Sequence, residues 1–212
     1  MSLKNACLQP WNPEGHEIGD DIAMSTLCVY CGSNTGTPAS FMEAAAEVGR
    51  EIGQAGHRLV YGGCAVGLMG AVADAALQHG AEVVGIMPRT IAEMGRVHEG
   101  LTDLRIVDSM HTRKALMAEL SDCFLALPGG VGTLEELAEI FVWMQIGVHT
   151  KPCGILNVSG FYDPLLHQLA TMVQSGFLRK EQLEQLIVLH HPSEICINLI
   201  GKQSRSYAKW LQ

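Results

Sequence analysis

From Ser25 onward the apolar positions of this chain recur in one order: a short run of Val, Ile, Leu or Cys, a glycine turn, then a longer helical stretch. "TLCVYCG" and "RLVYGG" read as strands buried on both faces, because their apolar runs are short, unbroken and closed by glycine. Between them the alanine-rich "ASFMEAAAEVGREIGQAG" predicts a crossover helix, and "VGLMGAVADAALQHG" predicts a second one with Gly80 at its C-terminal cap. "AEVVGIMP", "LRIVD", "CFLALPGG" and "KPCGILNV" continue the series as strands three to six, and "LIVLHHP" as a short last strand. The intervening helices are "SMHTRKALMAELS", a long one from Thr133 to about Gly147, "YDPLLHQLATMVQSG" and "SEICINLIG".

Strands that alternate with helices predict an α/β fold: a Rossmann-like, doubly wound parallel sheet with helices on both faces. Ligands in such sheets bind beyond the carboxyl ends of the strands, which directs attention to the loops at Gly32, Gly62, Pro88 and Gly129. The stretch "RTIAEMGRVHEGLTD" exceeds a tight turn and reads as a flap over the site or as an ordinary surface loop. The first 24 residues hold two prolines, three acidic residues after Glu14 and little periodicity, so a loose arm is expected over residues 1–24. One domain is expected over residues 25–212, because 212 residues that are 48% hydrophobic suffice for a single core.

Charge and cysteine content narrow the function. A net charge of −8 lacks the basic stripe that counters a phosphate backbone, so no nucleic-acid partner is expected. Seven cysteines, an odd number spread through apolar segments, fit reduced thiols in the cytoplasm. In "CVYC" the odd offset along a strand turns Cys28 and Cys31 to opposite faces, against a redox or metal pair. No apolar run approaches the roughly 20 residues that span a bilayer, and a soluble protein without a membrane partner is expected. Among nine histidines none forms H-x-x-x-H, and His190-His191 closes a strand, so no metal is expected.

Three clusters carry candidate chemistry. In "YGGCAVGLMG" the glycines Gly62, Gly63, Gly67 and Gly70 allow backbone to approach a bound anion at a helix N-terminus. Their spacing is not G-x-G-x-x-G, Tyr61 rather than an acid ends the strand, and no G-x-x-x-x-G-K-[ST] occurs, which argues against conventional dinucleotide and ATP sites. In "PGGVGTLEE", Thr133 is predicted as the N-cap, its hydroxyl capping the helix or meeting a phosphate, and Thr133 with Glu136 matches a capping box. Against that box, Glu136 shares its helix face with apolar Ile140 and Trp143, whereas Glu135 lies with Glu139 and Ile146 on a face compatible with water. In "SMHTRKALM", Met110, Arg113, Lys114 and Met117 lie at i, i+3, i+4 and i+7. Cations on an inward stripe want an anion, the alternative being that they snorkel to solvent, more readily for Lys114 than for Arg113.

Together, Pro128-Gly129-Gly130-Val131-Gly132-Thr133-Leu134-Glu135-Glu136 and Met110-His111-Thr112-Arg113-Lys114 resemble the paired motifs of the Lonely Guy (LOG) family, long mislabelled as lysine decarboxylases. The likeness runs from about Thr26 to Ile200 and includes "YCGSNTG", "VGLMG", "IMPR" and "KPCGILNVSGFYDPLL". It implies hydrolysis of the N-glycosidic bond of adenine-type nucleoside 5′-monophosphates, with N6-prenylated substrates giving cytokinins, and no cofactor. It implies Arg113 and Glu136 as the essential pair, phosphate binding by Gly130, Val131, Gly132 and Thr133, and further substrate contacts at Lys114, Gly129, Ser33, Gly63, Gly67 and Met110. A homodimer with the site near the subunit interface is implied as well. The chain departs from the family at Cys64 and Ala65, where a third glycine and a polar residue are common, and a side chain at 64 would narrow the pocket. Two other readings are a molybdenum-cofactor carrier, which the joint presence of Arg113 and Glu136 opposes, and a pyridoxal-phosphate decarboxylase, which needs a Schiff-base lysine.

Overall fold

A computed structural model describes residues 24–202. The arm expected over residues 1–24 lies, except for Met24, outside the described residues.

Seven strands form one parallel sheet: β1 (Thr26–Tyr30), β2 (Arg58–Tyr61), β3 (Val83–Pro88), β4 (Asp103–Val107), β5 (Cys123–Ala126), β6 (Cys153–Leu156) and β7 (Leu186–Leu189). Their order is β4-β3-β2-β1-β5-β6-β7, so the chain winds outward from β1 in one direction, then returns to β1's other side at β5. Leu27 to Tyr30 pair with Cys123 to Ala126, and this β1–β5 junction is where successive crossovers diverge and open a crevice. All seven predicted strands are present, and the doubly wound architecture is as the alternation predicted.

The helices are α1 (Ala39–Gln54), α2 (Gly67–Gln78), α3 (Arg89–Ala92), α4 (Met110–Leu120), α5 (Val131–Gln145), α6 (Asp163–Gln174), α7 (Lys180–Leu183) and α8 (Ile195–Asn198). The alanine face of α1 packs with α2 and α8 on one side of the sheet, around Val48, Ile52, Val72 and Ile195. On the other side α4, α5 and α6 cover Tyr30, Ile86 and Phe124 with Met117, Ile140, Phe141 and Met144. Cys28 and Cys31 fall in these two different clusters, as their offset along β1 predicted. The short α3 inside the predicted flap was not legible in a stretch with two glycines and no clear apolar period.

Candidate active site

Two backbone turns meet in the crevice. The Gly32 N–H, just past β1, donates to the Pro128 carbonyl at 3.1 Å, joining the β1 and β5 loops. A side chain on Gly129 would lie 2.2 Å from Thr133 Oγ1 and 2.9 Å from Gly32 N, so this glycine is required by space. At Gly130 and Gly132 the situation reverses, since a β-carbon would meet nothing within 4 Å. Gly130 has φ −92°, which any residue adopts, so what its missing side chain preserves is open room before the helix.

The helix behind this room begins earlier than predicted. Gly130 occupies the N-cap, no side chain caps α5, and Thr133 is the third helical residue, so the Thr133–Glu136 capping box does not form. Thr133 is buried because it packs against Gly129, which turns its hydroxyl from capping duty to the cleft wall. The N–H groups of the first turn have no acceptor within the helix and carry its positive dipole end, an arrangement that attracts an anion.

One and a half turns into α5 stands Glu136, on the apolar face with buried Leu137 and Ile140. Across from it, Ser109 caps α4 by accepting the Thr112 N–H at 3.0 Å, and Arg113 follows on that helix's inward side. Arg113 Nη1 donates to Glu136 Oε1 at 2.8 Å, and both side chains are 8% exposed. Arg113 Nε donates to the Ile86 carbonyl at the end of β3 at 3.0 Å. Nη2 lies over Gly62, where a β-carbon would sit 2.2 Å from it. The guanidinium is thus fixed on three sides by α5, β3 and the β2 turn. Burial raises the Glu136 carboxyl above its ordinary value of 4.5, and the charge and hydrogen bond of Arg113 oppose that rise without cancelling it.

Lys114 has another employment. It is bonded to Glu135 and lies 3.1 Å from Glu139, bridging the solvent side of α4 and α5, and it does not line the cleft. The expectation that Glu135 and Glu139 share a water-compatible face holds, but their partner was hidden because only tertiary packing brings the two helices together. Hydrogen bonding to Glu135, against a smaller opposing effect of burial, raises the Lys114 ammonium's pKa.

The cleft encloses about 830 Å³ and receives Ser33, Met110, Gly129, Gly130, Gly132, Thr133, Arg113 and Glu136 from the predicted set. Gly63 and Gly67 lie just behind its wall: φ values of +81° and +63° make them turn-formers, and Gly67 packs on the Ser33 backbone. Val131, 83% exposed, is outside the wall too. Cys64 does line the cleft, so its side chain occupies space there as expected. Cys31 lines it as well, and burial pushes its thiol up, which keeps it protonated and unreactive.

The stretch between β3 and β4 is a wall of the cleft rather than a bland loop, through Ile91, Met94 and Arg96. It is fastened to the glycine turn by Ala65 N–H to Arg96 O at 2.9 Å, His98 N–H to Gly63 O at 3.0 Å and a bridge between Cys64 and Val97. Tyr162, missed from sequence, braces the glycine turn after β5 from behind. Its buried hydroxyl donates to the Leu127 carbonyl at 2.6 Å, while Asn157 accepts the Tyr162 N–H at 2.8 Å. The only signal for it was the "FYDPLL" stretch, whose apolar pattern does not distinguish a brace from core.

Among the described residues no lysine lines the cleft: Lys114 is held by Glu135 and Glu139, and Lys151 Nζ donates to the Ala118 carbonyl at 2.7 Å. The cleft therefore does not fit a pyridoxal-phosphate aldehyde, which requires an amine beside it.

With this geometry in place, comparison with known proteins is decisive for the family. Residues 69–199 match the family model described as "possible lysine decarboxylase". The chain is 44% identical over 173 residues to cytokinin riboside 5′-monophosphate phosphoribohydrolase LOG of Oryza sativa subsp. japonica, covering 82% of this chain and 72% of that one. It is 44% identical over 164 residues to the cytokinin riboside 5′-monophosphate phosphoribohydrolase of Rhodococcoides fascians, covering 77% and 83%. Among solved structures, the molybdenum cofactor binding protein of Rippkaea orientalis superposes with a TM-score of 0.61 at 23% identity, over 83% of this chain and 94% of that one. That likeness is one of fold. Sequence identity over most of its length, together with the P-G-G-x-G-T-x-x-E turn and the Arg113–Glu136 pair, places this chain in the Lonely Guy (LOG) family.

Proposed function

We propose that this protein hydrolyses the N-glycosidic bond of adenine-type nucleoside 5′-monophosphates, N6-prenylated ones included, to free base and ribose 5-phosphate. The observation that carries the reading is the buried Arg113–Glu136 pair next to the open N-terminus of α5. The names of the 42–45% identical relatives support the same reaction.

Cleaving this bond builds positive charge on the ribose. A fixed carboxylate beside C1′ stabilises that charge and takes a proton from the attacking water. Glu136 has this role: Oε1 is held by Arg113, and Oε2 has no hydrogen-bond partner among the described residues. Arg113 orients the carboxylate, and its Nη2 is free to bond a substrate oxygen. The phosphate sits against the α5 N–H groups and Thr133, and this binding away from the reacting bond favours monophosphates over nucleosides.

The working unit is a homodimer. The outer face of α5 carries an apolar stripe of Val131, Leu134, Ala138, Val142 and Ile146, which a second copy of the helix would cover. Val142 and Ile146, 46% and 42% exposed, continue that stripe towards the end of the helix. No helix among the described residues is long and apolar enough to cross a membrane. Unbridged thiols at Cys28, Cys31, Cys64, Cys123, Cys153 and Cys196 suit the reducing cytoplasm, where we place it.

The test is chromatography of the products after incubation with AMP and with N6-isopentenyl-AMP. The wild type is expected to release free base from at least one of them and Glu136→Gln from neither; a wild type inert on both overturns the reading.

A further inference from the structure

We infer that Arg96 binds the departing base and neutralises the electron pair it carries away. The inference rests on the proposed hydrolysis, and begins from a gap in it. Arg113 and Glu136 act on the ribose, and the α5 turn on the phosphate, but none of these groups stabilises negative charge on the purine.

The sheet order gives the substrate a direction. The anion-attracting turn follows β5, while Arg113 reaches the β3 carbonyl at Ile86 and lies over Gly62 at the end of β2. A phosphate at β5 with its ribose at Arg113–Glu136 therefore points the base toward the β3 end and the β3–β4 connection. That end of the cleft is lined by Met87, Ile91, Met94, Met110 and Arg96. Among them Arg96 is the one side chain that donates strong hydrogen bonds.

Arg96 is also uncommitted. Arg113 is held by Glu136 and Ile86 with its remaining nitrogen at the ribose, and Lys114 is held by Glu135 and Glu139, whereas the Arg96 guanidinium makes no ion pair or hydrogen bond with the described residues. Its backbone is held: the carbonyl accepts from Ala65, and the neighbours Val97 and His98 are tied to Cys64 and Gly63. His98 Nε2 lies a further 3.0 Å from Asp74. Arg96 stands exposed at the mouth of the cleft, a cation with a held backbone and a free end that a departing purine can meet.

In the reaction the C1′–N9 bond breaks and its electron pair goes to the base. Arg96 donates a hydrogen bond to a ring nitrogen where that charge collects. A guanidinium does not release its proton near neutrality, so the base takes its proton from solvent. Water attacks C1′, loses a proton to Glu136, and Glu136 returns it to solvent. The sum is nucleotide plus water to base plus ribose 5-phosphate.

The test compares AMP with N7-methyl-AMP, whose base leaves as a neutral molecule and needs no such help. For Arg96→Gln and Arg96→Ala, kcat on AMP should fall about 100-fold, in the range for loss of one charge-stabilising donor. On N7-methyl-AMP the same variants should stay near wild type, which also proves them folded, and Arg96→Lys should recover part of the AMP rate. Equal losses on both substrates, a change in KM alone, or an unchanged AMP rate would each overturn the inference. Because wild type is measured alongside, failure of the hydrolysis itself is seen separately, as a wild type that releases no base.

Discussion

Arg113 and Glu136, 23 residues apart in sequence, meet at 2.8 Å between two helices, and each keeps only 8% of its side chain exposed. An ion pair so buried contributes little to stability on balance, since desolvation offsets its attraction, but breaking it by removing one partner costs about 3–5 kcal/mol. Glu136→Ala should therefore lower both melting temperature and activity. Replacing both partners with apolar residues, as in Arg113→Met with Glu136→Leu, should restore most of the melting temperature while base release stays absent. A double variant that melts as low as the single one would show that the pair itself, and not the exposure of an unpaired charge, holds the two helices together.

The raised carboxyl of Glu136 sets the direction of the pH response. Between the ordinary 4.5 and the raised value, the folded chain holds a proton that the unfolded chain has already released. Any stability owed to this residue thus falls as pH rises through that window. Activity moves the other way, because the ionised carboxylate is the working form. The acid limb of kcat/KM against pH should lie above 4.5, and a limb at or below that value would remove Glu136 as the titrating group.

Neighbouring glycines should respond to alanine in different ways. Gly129→Ala drives a methyl into Thr133 Oγ1 and Gly32 N and should destabilise by about 1–3 kcal/mol, the cost of overpacking. Gly130→Ala meets no protein atom, so its melting temperature should fall less than that of Gly129→Ala, by only what alanine loses to glycine at an N-cap. Its KM for AMP should nonetheless rise, because the methyl takes the room left for phosphate. Differential scanning fluorimetry and steady-state kinetics on the two variants check both halves.

Charging the outer face of α5 should separate subunits. Val142→Glu puts a carboxylate in the middle of the apolar stripe and should convert a dimer to monomer in sedimentation velocity, with little change in fold because Val142 is exposed in the single chain. A wild type that sediments as a monomer would remove the proposed interface.

How far the sequence could be read follows from the range of the interactions. Strands and helices were legible because their signals are local, and Glu136 was legible because Ile140 and Trp143 lie one and two turns further along the same helix. The Lys114 bridge to Glu135 and Glu139 was not, since nothing in the spacing says which helix α4 packs against. Thr133 was misread as a cap because its pattern with Glu136 satisfies a local rule, while its real contact, Gly129, is visible only once the turn has closed. Arg96 had no period or motif at all: it belongs to the cleft through the fastening of its backbone to the turn at Gly63 and Ala65.

The contact of Gly129 with both Gly32 and Thr133 has a bearing on how this protein can be altered. Two loops from adjacent strands and one helix meet at Gly129, where an added carbon would lie 2.2 Å from Thr133 Oγ1 and 2.9 Å from Gly32 N. Enlarging position 129 calls for a matching retreat by Thr133 or the Gly32 loop. An engineer seeking a different substrate will find freedom along the methionine wall, the flap and positions 130 and 132, while position 129 can be exchanged only together with its neighbours.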